Sequence, residues 1–328
     1  MFLQKLKTIR WDLTSRCDLS CAACMRNEYG GKTVDGLVEQ DFEFYDRLLS
    51  NLDVLNVVTI EFMSTWGDPL NHKNFIDIIK KLSEKHPGCI IRIMTSLHHR
   101  DDDFYKELGE VLNKFFRVDI FTNIYGNDES HSMFRIGADF SKVKRHTEIL
   151  SGFEKVNITW KMLVGKWNVD HVEDVYSIAK EIDIFKFLAL KLSHNVFINP
   201  NGNDGEGEYL ETSDDFEDFD DDFGNLVFKF NLTDNSKKCQ ALQNGYVYID
   251  PWGYVWPCPM VGQYTFNDAV EGAFVDDAWT DHGEDFNNLG SYSLKDILSH
   301  TWFNSQLEEK WKSPKPWTIC KQECQIGE

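Results

Sequence analysis

Apolar and polar positions alternate in two different ways along the first two thirds of the chain. Between residues 75 and 82 the apolar side chains recur at helix spacing, and His86-Pro87-Gly88 would end such a helix. Other stretches are short runs of β-branched and aromatic residues, typical of buried parallel strands, at 8–13, 57–63, 89–95, 117–122, 156–164 and 185–193. Segments with the strand pattern and segments with the helix pattern alternate along this part of the chain. Because right-handed crossovers connect such units, they predict an α/β fold, a partial (β/α)6 TIM-like barrel with function at the carboxyl ends of its strands.

The alternation stops at residues 201–223, which are rich in Gly, Asn and carboxylates. This composition is typical of a solvated linker, and a calcium loop or a docking strip for a basic substrate is the alternative. Further on, residues 246–258 have the pattern of two short strands joined by a turn. We predict a barrel domain at 1–200, an acidic linker or insertion at 201–235 and a small β-containing domain at 236–328.

Charge and hydropathy exclude two kinds of partner. The 328 residues include 34 Lys and Arg against 54 Asp and Glu, a net charge of −20, which opposes binding to nucleic acid or to an anionic membrane. No run approaches the roughly 18 apolar residues that a membrane span needs. The amino terminus lacks the apolar core of a signal peptide. We therefore predict a cytoplasmic protein with neither partner.

Eight cysteines in a reducing compartment indicate metal or redox chemistry more than disulfides. Cys89 stands alone, and because it begins a predicted strand we interpret it as a buried structural thiol. The other seven form an early set and a late set, which are Cys17, Cys21, Cys24 and Cys239, Cys258, Cys320, Cys324.

The early set has three thiols and no fourth. Three thiolates on a loop can converge on one soft metal centre and leave one of its positions open. A structural zinc ion would need a fourth ligand, which His72 or His98 could supply by folding back. The residues alone are therefore compatible with a metal centre that has an open position and with a structural zinc site.

Cys17, Cys21 and Cys24 match the CxxxCxxC pattern of the radical S-adenosylmethionine (radical SAM) superfamily, which the chain resembles over residues 5–195. The resemblance implies a 4Fe-4S cluster on these three cysteines. It also implies that the fourth iron accepts the amino and carboxylate groups of S-adenosylmethionine (SAM), which would explain the missing thiol.

Further segments at the ends of predicted strands resemble the same superfamily. Gly67-Asp68-Pro69 resembles the Gly-Glu-Pro segment, whose backbone contacts the SAM amino group. Thr95-Ser96 resembles the Thr-Asn-Gly segment near the ribose. The resemblance therefore implies that these five residues bind the cofactor.

Two more cofactor-binding residues follow from the resemblance. Asn123 lies in a segment similar to Ser-x-Asp-Gly, and Arg135 would pair with the SAM carboxylate. The chain departs from the pattern at Ala23, which is often aromatic, and at Asp68, where glutamate is usual. Neither departure removes a metal ligand.

The late set resembles the twitch module, a short relative of the SPASM domain. This resemblance implies one auxiliary 4Fe-4S cluster on Cys239, Cys258, Cys320 and Cys324. Zinc is the alternative, because four thiolates bind either centre. Residues 265–290, within this module, have no role that the sequence assigns.

Together these resemblances imply an enzyme that cleaves SAM reductively to a 5′-deoxyadenosyl radical, which abstracts a hydrogen atom from the substrate. The auxiliary cluster would then accept an electron, giving a two-electron oxidation. A donor such as flavodoxin or ferredoxin would supply the first electron.

Two other functions stay open: a radical SAM maturase that cross-links or epimerises a peptide, and a non-catalytic metal-binding protein with a zinc tail. The substrate, small molecule or peptide, is not predicted. No catalytic residue is assigned, although Tyr125, His131 and Lys191 lie near predicted strand ends.

Overall fold

The computed structural model describes the chain in twelve stretches and divides it into two compact units. Unit 1 comprises Met1–Leu13, Val38–Thr65 and Lys229–Glu328, and unit 2 comprises Thr14–Leu37 and Trp66–Phe228. None of the described helices is long and apolar enough to cross a membrane. The described residues are 1–22, 24, 38–52, 55–192, 196–198, 208–214, 216–222, 239–264, 274–313, 317, 320–321 and 324.

Strands and helices follow one another through most of the described chain. The strands are β1 (Thr8–Trp11), β2 (Thr59–Phe62), β3 (Ile90–Met94), β4 (Arg117–Ile124), β5 (Val156–Val164), β6 (Lys186–Lys191), β7 (Val196–Ile198), β8 (Glu208–Leu210), β9 (Phe219–Asp222), β10 (Tyr246–Ile249) and β11 (Val255–Trp256). The helices are α1 (Phe2–Lys5), α2 (Phe42–Leu52), α3 (Phe75–Lys85), α4 (Asp102–Leu112), α5 (Asp128–Phe134), α6 (Phe140–Ser151), α7 (Val172–Ile182), α8 (Gln240–Asn244), α9 (Pro259–Tyr264), α10 (Phe274–His282), α11 (Leu294–Ser299) and α12 (Leu307–Lys312).

The six predicted strands are all present as β1 to β6. Helix α3 ends at Lys85, and His86 caps it through a backbone bond to Leu82 before the Pro87-Gly88 turn. Apolar periodicity located these elements because each one buries a continuous apolar face.

In unit 2 the strand order is β3-β4-β5-β6-β9, with β3 to β6 mutually parallel and β9 antiparallel to β6. Helices cover one face of this sheet. Trp160 of β5 contacts Phe140 of α6, and Phe187 of β6 contacts Tyr176 of α7. Because side chains alternate along a strand, the neighbouring residues of β5 and β6 lie on the opposite face.

Part of the stretch that the sequence predicts to be an acidic linker is strand. Phe219–Asp222 form β9 beside β6, and Glu208–Leu210 pair with β7 as a separate two-stranded sheet. Residues 201–207, 215 and 223–235 lie outside the described part of the chain. The boundaries of the linker stay a prediction.

In unit 1 the strand order is β11-β10-β1-β2. Strand β10 runs parallel to β1, and β11 returns antiparallel to β10, so the predicted strand pair at 246–258 is confirmed. The buried carboxylate of Asp250 organises the turn by accepting the backbone N–H groups of Trp252 and Tyr254 at 2.9 and 3.0 Å. Gly253, with φ of +89°, occupies a left-handed conformation that glycine adopts without strain.

Candidate functional site

The early cysteine loop, in unit 2, is fixed by backbone hydrogen bonds to the segment after α5. Ser20 N–H donates to the Ile136 carbonyl oxygen at 3.0 Å, and Ala22 N–H donates to the Phe134 carbonyl oxygen at 2.9 Å. These two bonds lay the loop alongside the segment that carries Arg135.

Cys17, Cys21 and Cys24 are all half-buried. The Cys24 N–H donates to the Cys21 carbonyl oxygen at 3.1 Å, which forms a tight turn between these two residues. Burial raises the pKa of Tyr125, while the charge of Arg135 lowers it and charge on Cys21 and Cys24 raises it. The loop therefore gathers its thiols close to the aromatic and cationic residues that follow β4.

Gly67 packs directly against the start of the cysteine loop. A Cβ atom at this position would come within 2.5 Å of the carbonyl oxygens of Thr14 and Arg16. The next residue, Asp68, donates its N–H to the Arg16 carbonyl oxygen at 2.9 Å. Any side chain at position 67 would therefore push the loop away, which explains why glycine stands there.

The Asp68 side chain is buried and holds the end of β3. Its carboxylate accepts the Thr95 hydroxyl at 2.8 Å, and it accepts the Ser96 N–H and hydroxyl at 2.7 and 2.8 Å. It also caps the turn Pro69–Asn71 by accepting Leu70 N–H at 3.0 Å. Three of the predicted cofactor residues, Asp68, Thr95 and Ser96, thus form one hydrogen-bonded group.

Arg135 follows α5 and has an unsatisfied buried donor. Its Nε atom has no hydrogen-bond partner among the described residues, and its guanidinium carbon lies 5.5 Å from the Tyr125 ring centroid. Burial alone would lower the pKa of Arg135, but charge on Cys21, Tyr125 and Cys17 outweighs it, and the pKa is raised. A buried guanidinium donor needs an acceptor, so an anionic ligand such as a carboxylate fits here.

The face of the unit 2 sheet opposite Trp160 carries the remaining predicted residue, Asn123. Trp160 is tied to α6 by its Nε1–H bond to the Thr147 hydroxyl at 3.3 Å, which places Lys161 on the opposite face. Lys161 is the register partner of Asn123, and its Nζ lies 5.5 Å from the Phe121 ring centroid. This face combines a cation, an amide and an aromatic ring.

The three residues near strand ends have local structural partners. His131 is buried, its Nδ1 accepts the Tyr125 N–H at 3.2 Å, and burial with the Arg135 charge lowers its pKa to about 3. Tyr125 stacks on Phe134 with ring centroids 4.0 Å apart. Lys191 Nζ lies 3.5 Å from the Asp214 carbonyl oxygen. These contacts identify no general base.

The structure places a histidine near the cysteine loop that the sequence did not indicate. His99 is buried and its Nδ1 is hydrogen-bonded to the Asp18 carboxylate. The two histidines considered as zinc ligands have other partners, since His72 Nδ1 accepts Asn74 N–H and His98 Nδ1 accepts Asp139 N–H. Only the position of His99 four residues after Thr95, beyond a strand end, could have indicated it.

In unit 1 the four late cysteines lie near one another. Burial is the main reason that the pKa of Cys239 is raised, and charge on Cys258, Cys324 and Cys320 raises it further. Burial also raises the pKa of Cys258 to about 11 and that of Cys320 to about 12. A metal centre would have to displace protons from these thiols in order to bind.

Cys89 lies apart from both sets. It is buried immediately before β3, and burial raises its pKa. This placement agrees with the structural thiol that the sequence predicts. All eight cysteines are among the described residues, and none of them forms a disulfide.

Comparison with known proteins gives relatives and solved structures, while no family model matches the chain. The GTP 3',8-cyclase of Clostridium perfringens is 26% identical over 195 residues, which are 57% of this chain and 56% of that protein. The chain thus spans about half the length of the curated relatives it matches.

Two solved structures share the fold of nearly the whole chain. Streptococcus suis SuiB bound to S-adenosylmethionine has a TM-score of 0.55 at 13% identity, covering 96% of this chain and 77% of SuiB. Native anSMEcpe with AdoMet and the Cp18Cys peptide has a TM-score of 0.53 at 18% identity, covering 97% and 87%. SuiB is also solved with its precursor peptide SuiA.

Proteins solved with bound S-adenosylmethionine thus share the fold of this chain. Its three-cysteine loop follows β1, and the solved structures confirm the predicted α/β partial-barrel class. The residues present suit an anionic ligand beside a soft metal centre, because the three early thiols lie near Arg135, whose buried Nε has no partner among the described residues. Ala23 and residues 265–273 lie outside the described part of the chain.

Proposed function

We propose that this chain is a radical SAM enzyme in which Cys17, Cys21 and Cys24 hold a 4Fe-4S cluster. When bound, the cluster would deliver an electron to SAM, and the resulting 5′-deoxyadenosyl radical would take a hydrogen atom from the substrate. The observation that carries this proposal is the unsatisfied, buried Nε of Arg135 beside the thiols of Cys17 and Cys21.

Residues of unit 2 would bind and orient SAM. Arg135 would pair with its carboxylate, and the backbone of Gly67, Asp68 and Pro69 would face its amino group. The Asp68 side chain is engaged with Thr95 and with the backbone of its own turn, which leaves backbone groups of this segment to meet the ligand.

The ribose would lie near Ser96 and Asn123. Ser96 is buried at the end of β3, and Asn123 is half-buried near the end of β4. Both residues are therefore held by strands of a single sheet. A sheet framework of this kind positions a ligand more rigidly than an unsupported loop does.

We further propose that Cys239, Cys258, Cys320 and Cys324 hold an auxiliary 4Fe-4S cluster that accepts the substrate's second electron. Four grouped thiols in a half-buried setting support a metal centre whose ligands are all supplied by protein. The net reaction would be a two-electron oxidation, with a flavodoxin or ferredoxin as the donor of the initiating electron. Reduced thiols fit a cytoplasmic location.

The substrate would lie against the face of the unit 2 sheet where Phe121, Asn123 and Lys161 are found. Lys161 would bind an anionic group on the substrate. The relative named GTP 3',8-cyclase makes GTP one molecule to test.

Iron content and product formation test this function. Anaerobically reconstituted protein should hold about eight irons per chain, at four per cluster. A Cys17/Cys21/Cys24→Ala variant should hold about four and form no 5′-deoxyadenosine from SAM and dithionite. A wild-type protein that binds zinc at the late cysteines and yields no 5′-deoxyadenosine would instead be a non-catalytic metal-binding protein.

A second candidate is a maturase that cross-links or epimerises a peptide. The peptides bound to SuiB and anSMEcpe favour it, because these proteins share the fold of this chain. The test is anaerobic incubation with SAM and a peptide encoded beside the enzyme. A product two hydrogens lighter indicates oxidation or cross-linking, whereas unchanged mass with an altered stereocentre indicates epimerisation.

A further inference from the structure

The loop after β3 is shaped to hold one buried histidine. Leu97 and Arg100, on either side of it, have φ angles of +53° and +65°, which non-glycine residues seldom adopt. Such a backbone persists only where the surroundings hold it. His146 Nδ1 donates to the Leu97 carbonyl oxygen at 2.7 Å, and Arg100 Nε donates to the Leu70 carbonyl oxygen at 3.1 Å. The protein therefore constrains His99 firmly.

His99 connects the cysteine loop with the Asp68 segment. Its Nδ1 must carry the hydrogen of the bond to Asp18, because a carboxylate only accepts. Its Nε2 is buried, has no hydrogen-bond partner among the described residues, and lies 3.7 Å from Asp68 Oδ2. A ring nitrogen of His99, a carboxylate oxygen of Asp18 and the Cys17 sulfur all lie within 4.8 Å of one another.

The Asp18 carboxylate thus lies beside a predicted ligand of the cluster. Reduction adds an electron, and a neighbouring negative charge makes that addition less favourable. The Asp18 side chain is 49% exposed, so without a partner it could turn into water, where its charge is screened. The bond from His99 keeps the charge near Cys17.

We propose that Asp18 lowers the reduction potential of the cluster on Cys17, Cys21 and Cys24, and that His99 is the positioning residue that holds Asp18 in place. This inference rests on the proposed function, since it requires that cluster. The loop after β3 would therefore help to set the reduction potential of the cluster that cleaves SAM.

Redox titration monitored by electron paramagnetic resonance tests the proposal. The signal of this cluster is identified as the one that SAM perturbs. Asp18→Asn should raise its midpoint potential, and His99→Leu should raise it in the same direction. Because His99 acts through Asp18, the double variant should show no further rise. His99→Gln, which retains an N–H donor, should remain nearer to wild type.

Asp139→Asn is the matched control, since Asp139 is also exposed and its carboxylate accepts the Ser141 N–H at 3.0 Å. It should leave the potential unchanged. The inference is overturned if Asp18→Asn, with its full iron content, has the wild-type midpoint potential. It is also overturned if the shifts of the two single variants add in the double variant. Wild-type protein without a SAM-perturbed signal overturns the proposed function and this inference with it.

Discussion

The two sets of cysteines lie in different chemical surroundings. In unit 2, Cys17 lies near the Asp18 carboxylate, and Cys17 and Cys21 both lie near the half-buried Arg135. In unit 1, Cys258 and Cys320 are surrounded by enough protein that burial raises their pKa to about 11 and about 12. Thiols alone do not distinguish these sites, because each set could bind a soft metal centre.

The difference lies in what each site can accept besides metal. The early set has three thiols and a cation whose Nε lacks a partner among the described residues, which suits a charged ligand. The late set has four thiols, which would supply every ligand of the proposed centre. We infer that one site is built to react and the other to hold a centre away from solvent. Four predictions test that contrast, from the largest effect to the smallest.

Removing a thiol from each set should give the largest and most distinct effects. Cys21→Ala should lose about four irons, as one cluster holds four, and all 5′-deoxyadenosine formation. Cys258→Ala should lose a similar amount of iron but still form 5′-deoxyadenosine from SAM and dithionite. Iron analysis and chromatography measure both, with Cys89→Ala as the control that changes neither. Loss of 5′-deoxyadenosine in Cys258→Ala would contradict the contrast.

Unit 1 should lose stability as the pH rises from about 4 to about 7. Burial raises the pKa of Asp250 to about 7, so the folded state keeps a proton that the unfolded state has lost. Its stabilising effect is complete below the unfolded pKa and is lost as the pH approaches the folded pKa. This difference of about three between the folded and unfolded pKa of Asp250 corresponds to roughly 4 kcal/mol in the free energy of unfolding. Urea unfolding at several pH values should show this decline in the wild type and not in Asp250→Asn. If stability changed with pH in the same way in both proteins, the prediction would be refuted.

Asp68→Ala should destabilise unit 2 by about 3 kcal/mol, because it leaves buried donors of Thr95, Ser96 and Leu70 without an acceptor. Urea unfolding with tryptophan fluorescence measures the change. Asp103→Ala, at an exposed position of α4, is the control and should match wild type. Equal stability of the two variants would show that Asp68 does not organise the site.

Arg135→Met should weaken SAM binding about 10- to 100-fold, the loss of a charge-assisted hydrogen bond of about 1.5–3 kcal/mol. Anaerobic calorimetric titration of the cluster-loaded protein with SAM measures the affinity. Arg145→Met, which removes an exposed arginine paired with Asp102, should leave it unchanged. Equal weakening in both variants would assign the effect to overall charge.

Periodicity in the sequence predicted β1 to β6 because each strand is a continuous apolar run. The same signal did not find β9, whose residues Phe219–Asp222 include three aspartates. Their pairing with Lys186–Ala189 of β6 is a backbone interaction, which leaves no apolar pattern. Strand β10 was predicted, but not its place beside β1, from which it is separated by more than 200 residues.

The cofactor residues show a similar division. Arg135 was found through a motif, yet its unsatisfied Nε became evident only from the packing around Tyr125 and the cysteine loop. The sequence indicated His72 and His98 as extra ligands, whereas the fold brings His99 to Asp18. The left-handed backbone at Leu97 and Arg100, on either side of His99, shapes the loop that places it there. Leucine and arginine seldom adopt this conformation, so the sequence does not indicate it.

By itself the sequence determined the fold class and the seven thiols that could bind metal, because strand periodicity and cysteine spacing are local properties. Only the tertiary structure decided that Asp68 binds Thr95 and Ser96, that Asp18 and His99 lie beside Cys17, and that the late thiols come together. These arrangements join segments far apart in the chain, and their energies depend on burial and distance, which a linear pattern does not contain.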